Sequence, residues 1–145
     1  MKKLLPILLL LMVFKISAQD SKRERIKALK VSFITEKLDL TEKEAQKFWP
    51  VYNAHEDKTF QIKHSELKVI RKEVKEHLST LTDAHAKELL DKLVAAENNL
   101  HTEYVNLISK LRIIIPAKKI IQLKAAEEDF KRKLFDEFKK RRQGK

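Results

Sequence analysis

Residues 78–89 read LSTLTDAHAKEL, and the fold turns on how few of them can lie outside a helix. Before this stretch, Phe60, Leu67, Val74 and Leu81 recur every seven residues, with Ile70 between them. After it, Ala86, Leu93, Leu100, Leu107 and Ile114 keep the same interval, and Leu90, Tyr104 and Leu111 fill the other seam position. A period near 3.5 predicts helices that meet along a coiled-coil-like seam. Only residues 79–82 are left as a connection, and so short a link makes consecutive helices antiparallel neighbours. The sequence therefore predicts a long helical hairpin, with its second helix over 41–78 and its third over 82–113. Counting outward from the turn sets Leu67 opposite Leu93 or Val94, and Ile70 opposite Leu90 or Asp91.

Working outward, the fold class is all-α, with four helices. The single glycine, Gly144, lies in the tail, whereas sheets need turns that usually draw on glycine or Asn-Gly pairs. A first helix is expected over 22–37, with Ile26, Leu29, Phe33 and Ile34 as its stripe. A fourth, over 116–141, opens at Pro116, a residue favoured in the first turn. Ile120, Ile121, Leu123, Phe130, Leu134 and Phe138 give it an apolar face. The register returns Pro116 close to Ala45, so helices one and four flank the open end of the hairpin. There the second helix starts with Thr41 and Glu44 spaced for a capping box. It then meets Pro50, which removes the N–H that would bond to the Gln46 carbonyl. A kink or a restart is expected near Pro50, held by Phe48, Trp49, Val51 and Tyr52.

Residues 1–18 read as a secretory signal peptide. Lys2 and Lys3 precede an apolar run over 4–14 broken only by Pro6, and Ile16 and Ala18 occupy the −3 and −1 positions of a cut after Ala18. The run is shorter than the ~20 apolar residues of a membrane span. Cleavage leaves residues 19–145 as one domain. It removes three lysines and no acid, so the formal charge of +11 becomes +8. The chain has no cysteine, so an exported fold must rest on packing without disulfides. A bacterial periplasm suits it, and export argues against a nucleic-acid partner for its basic surface.

LTEKEAQKF at Leu40 is echoed by LTDAHAKEL at Leu81. Each has Leu-Thr, two residues, a residue able to close a cap, then an apolar periodic stretch. With an export signal and four helices, the chain resembles the Spy/CpxP group of periplasmic proteins, known for Leu-Thr-x-x-Gln motifs, and the related CnrX-type metal sensors. It is most similar to short Bacteroidetes proteins described as sensors of ECF-type sigma factors. The stretches that carry this likeness are KALKVSFITEKLDLTEKEAQKFWPVYN (27–53) and IPAKKIIQLKAAEEDFKRKL (115–134). Glu44 and His85 stand where the motif has glutamine. The resemblance implies a hooked helical hairpin that pairs into a curved homodimer and acts without catalysis. Some members hold unfolded envelope proteins on a concave basic surface; others restrain a membrane signalling partner and release it under stress. The motif positions carried over are Leu40, Thr41, Glu44, Phe48, Trp49, Pro50 and Tyr52, then Leu81, Thr82 and His85, then Pro116, Glu127 and Phe130.

Enzyme signatures are not found. The chain has no glycine-rich phosphate loop, no cysteine nucleophile and no His-Glu-x-x-His, and Ser32, Ser65, Ser79 and Ser109 have no visible activating base. No cofactor is expected beyond a divalent metal. Glu97 and His101 share a helix face through their i, i+4 spacing, and the hairpin register sets His64 opposite Glu97. A buried Glu97 between Leu93 and Leu100 needs a partner, so a His64–Glu97 contact is expected. It is read either as a structural hydrogen bond or as part of a metal site completed by His101 or a second subunit. Glu127 is expected to pair with a lysine such as Lys27 or Lys30. The tail, 131–145, carries eight basic residues against two acids beside Leu134, Phe135 and Phe138. It reads as a membrane-surface helix, a basic landing site for a partner, or a solvated helix end whose cations suit the dipole. Three functions follow from these readings: a sensor contacting a membrane-bound regulator of an ECF-type sigma factor, an ATP-independent chaperone, and a divalent metal sensor.

Overall fold

In the computed structural model the described residues are 5–144, with side chains from Lys22 onward. They form helices joined by short turns, with no strand among them. The elements are α1 (Leu5–Leu38), α2 (Glu42–Gln61), a π-helical segment (Ile62–Leu67), α3 (Lys68–His77), α4 (Asp83–Leu111) and α5 (Ala117–Gln143). Because α2, the π segment and α3 run on without a gap, these amount to the four helices expected. Residues 1–4 of the expected signal peptide lie outside the described residues, and α1 begins at Leu5 rather than near residue 22. Leu, Ile and Met in that run are all compatible with a helix.

The chain divides into two compact units, one made of the residues up to Leu40 and those from Ile121, the other of Thr41–Ile120. In the first unit, Ile34, Leu38, Leu123, Ala126 and Phe130 are buried. The Phe33 and Phe130 rings meet with centroids 5.6 Å apart, and Lys22 Nζ lies 4.9 Å from the centre of the Phe138 ring. Leu29, Ile121 and Phe138, placed on apolar faces by the sequence pattern, are exposed. Helix α1 stops through a Schellman motif: Leu40 N–H donates to Thr35 O at 3.2 Å and Asp39 N–H to Glu36 O at 3.2 Å. Asp39 takes the left-handed position, φ 47°, that glycine fills in many helices.

The second unit is built on Phe48, Tyr52, Thr59, Leu67 and Ile70 from one side and Leu89, Ala96, Leu107 and Leu111 of α4 from the other. Lys58 Nζ reaches Glu103 at 3.4 Å, and Glu73 meets His85 Nε2 at 3.3 Å. As the number rises from 58 to 73, its partner's falls from 103 to 85.

Two expectations need correction. Helix α2 does not restart at Pro50; it continues to Gln61 with the proline inside it. A π segment follows α2, where Lys68 N–H donates to Lys63 O. A π turn accommodates one extra residue, and the buried positions explain it. Seven residues beyond the buried Thr59 lies Glu66, but the residue that is buried is Leu67. The insertion brings the apolar seam back into phase. The second correction concerns α4. Its inner seam includes Leu89 and Ala96, not Leu90 and Tyr104, which are 59% and 40% exposed.

Candidate interaction site

Both Leu-Thr motifs start helices. Glu44 N–H donates to Thr41 Oγ1 at 3.2 Å, and Thr41 N–H donates to Glu44 Oε2 at 2.9 Å, a closed capping box. The same Oε2 receives Lys119 Nζ at 2.7 Å, tying the start of α2 to the start of α5. The Lys119 hydrogen bond, followed by that from the Thr41 backbone, holds the Glu44 carboxyl below its ordinary pKa, against the opposing effect of partial burial. One turn on, Phe48 and Tyr52 are buried and stack with centroids 5.3 Å apart. Trp49, half-buried, meets both edge-on at 4.9 and 5.6 Å. Pro50 is exposed beside them.

The second motif is built differently. His85 N–H donates to Thr82 Oγ1 at 3.3 Å, but no side chain returns to the Thr82 backbone. The His85 ring faces Glu73 of α3 at 3.3 Å and Glu88 of its own helix at 3.7 Å. Leu81 is half-buried beneath this turn.

The remaining predicted residues fall apart from these two centres. Leu40 and Glu127 are half-buried, Pro116 is exposed, and Phe130 is buried against Phe33. The expected His64–Glu97 contact is not made. His64 is exposed, hydrogen-bonds through Nδ1 to Phe60 O at 3.1 Å and stacks on the Phe60 ring at 3.8 Å. Glu97 and His101 are exposed on α4. The one-residue shift of the α4 seam is the cause: it buries Ala96 and turns Glu97 outward. Among the described residues, no three His, Asp or Glu side chains converge to hold a metal ion.

Sequence reasoning missed two features. Lys119 and Glu73 emerged as partners of Glu44 and His85 only in three dimensions. The second feature was legible in spacing. Leu90, Val94, Glu97, His101, Tyr104 and Ile108 step by four and three along α4 and form a stripe beside the buried seam. Leu90, Val94 and Tyr104 on it are exposed, with Val105 at its edge. The apolar arc of α4 is therefore wider than the buried seam, and part of it is exposed. Compared with known proteins, the chain matches no family model, no curated protein and no solved structure.

Proposed function

We propose that the chain is an exported, periplasmic, non-enzymatic helical sensor that works by contact with a membrane-bound regulator of an ECF-type sigma factor. The leader over 1–18 supplies export, with cleavage after Ala18. Residues 41–113 act as an antiparallel hairpin, a reading supported by the opposed numbering of the Lys58–Glu103 and Glu73–His85 contacts. Pro50, which leaves the Gln46 carbonyl without its helical donor, bends the first arm. The observation that carries the function is the uncovered apolar stripe of α4. An exposed row of Leu90, Val94 and Tyr104 is a surface made for another protein. Deleting the gene should alter expression of one sigma-factor regulon. Unchanged transcription across all such regulons under envelope stress refutes the reading.

The same stripe favours a homodimer. Its spacing reads alike from both ends about residue 99. An antiparallel second copy sets Leu90 against Ile108, Val94 against Tyr104, and Glu97 against His101, each pair occurring twice. Pairing of this kind follows antiparallel coiled-coil geometry. Glu97→Lys should weaken self-association in sedimentation, and adding His101→Glu should restore it; no rescue rejects this register. A chaperone role is the alternative that the exposed apolar row also supports. It requires suppression of aggregation of a model client at few-fold excess, weakening with salt.

A further inference from the structure

We infer that the end of α5, with the start of the described side chains of α1 beside it, is a docking surface for an anionic phospholipid bilayer. Lys139, Lys140, Arg141 and Arg142 are consecutive and exposed, and none makes an ion pair among the described residues. Only two acids, Asp136 and Glu137, lie within the turn before them; further back Asp129 pairs with Arg132 and Glu128 with Lys131. Lys22 of α1 packs on Phe138, so it adds its charge to the same end. An open groove there is lined by Lys22, Phe138, Arg141 and Arg142.

A helix C-terminus attracts cations, but its dipole amounts to roughly half a unit charge. Four unpaired cations exceed what the helix end itself requires. Their company decides between possible acidic partners. Phe135 is 69% exposed and Phe138 is exposed one turn along. Phenyl rings beside lysine and arginine are the composition of interfacial helices, which sink an apolar side into the headgroup boundary while cations meet lipid phosphates. Long basic side chains can reach outward as the rings enter. Each cation near an anionic surface adds to the attraction. An acidic polypeptide would reward the charges but not the rings. The inference stands independently of the sensor reading, although it would hold such a sensor close to a membrane regulator.

The test is sedimentation of the chain, as the cell produces it, with vesicles of pure phosphatidylcholine and of phosphatidylcholine mixed with phosphatidylglycerol. Binding should be at least tenfold tighter to the anionic vesicles at low salt. Replacing Lys139, Lys140, Arg141 and Arg142 together by Gln should bring the two affinities to within about twofold. The exposed pair Phe135→Ser with Phe138→Ser should weaken anionic-vesicle binding severalfold, with helicity unchanged by circular dichroism. No preference for anionic vesicles overturns the inference. So does a preference indifferent to the phenylalanine pair and matched by equal binding to polyglutamate, which assigns the surface to an acidic protein.

Discussion

The helices that open at Thr41 and at Thr82 share a cap, a leucine before it and a buried apolar residue seven positions after it, Phe48 in one and Leu89 in the other. They use the last residue of the motif in opposite ways. Glu44 bends back to the Thr41 backbone, and the same Oε2 also accepts from Lys119. His85, whose ring does not return to its own cap, reaches across to Glu73 instead. The first start is closed on itself and pinned to α5. The second is half closed and pinned to the neighbouring α3. One local motif thus serves two tertiary jobs, and the residue in its last position selects between them.

The comparison breaks hardest at the residues beneath the caps. Phe48 is fully buried against Tyr52 and Trp49, so Phe48→Ala should cost about 3–5 kcal/mol. Leu89→Ala, at the matching place under the second start, should cost about 2–3 kcal/mol, because a smaller buried side chain is removed. Urea denaturation of the two variants checks the order. Equal losses would mean that the aromatic cluster adds nothing to the first start.

Next come the caps themselves. Thr41→Ala removes an acceptor from a closed box and should cost about 1 kcal/mol. Thr82→Ala loses a longer hydrogen bond in a half-box and should cost about 0.5 kcal/mol. A reversed order in the same denaturation series would remove the distinction between closed and half-closed starts.

Acid separates the two starts without a change of size. The carboxyl of Glu44 titrates below its ordinary range in the folded chain because Lys119 and the Thr41 N–H hold the charged form. A depressed carboxyl stabilises the fold above its unfolded pKa, about 4.3, and that contribution disappears as pH falls through the lower folded value. Melting of the parent and of Glu44→Gln should therefore differ at pH 6, and the difference should shrink as pH falls below the ordinary carboxylate range. A difference that is constant with pH would show that Lys119 has no hold on Glu44.

Much of this was legible in the sequence. Caps are local, so Thr41–Glu44 could be read from four residues, and the all-helical class came from the scarcity of glycine and the apolar periodicity. What could not be read has a physical origin. Phe60 and Leu67 are seven apart, so a reader who places Phe60 on the seam sees an uninterrupted repeat. The residue on the seam is Thr59, whose hydroxyl donates to His55 O and Glu56 O and so can be buried. A polar residue at a core position concealed the extra residue that the π segment absorbs. On α4 the difficulty was the reverse. Apolar residues span both edges of a wide arc, and hydrophobicity alone does not say whether Leu89 or Leu90 is covered. That single step turned Glu97 outward and with it the expected partner of His64.

The smallest effect exchanges the selector residue. His85→Glu gives the second start the glutamate of the first, able to return to the Thr82 N–H and near the positive end of α4, a gain of a few tenths of a kcal/mol. The new carboxylate also faces Glu73, now 3.3 Å from the His85 ring, and the repulsion of two exposed like charges is of similar size. The single variant should melt within about 0.5 kcal/mol of the parent. Adding Glu73→Gln removes the repulsion and leaves the closed box, so the double variant should be more stable than Glu73→Gln alone. If His85→Glu instead stabilised the chain with Glu73 intact, Glu73 would not be facing position 85. The second start would then differ from the first only in lacking its own cap residue.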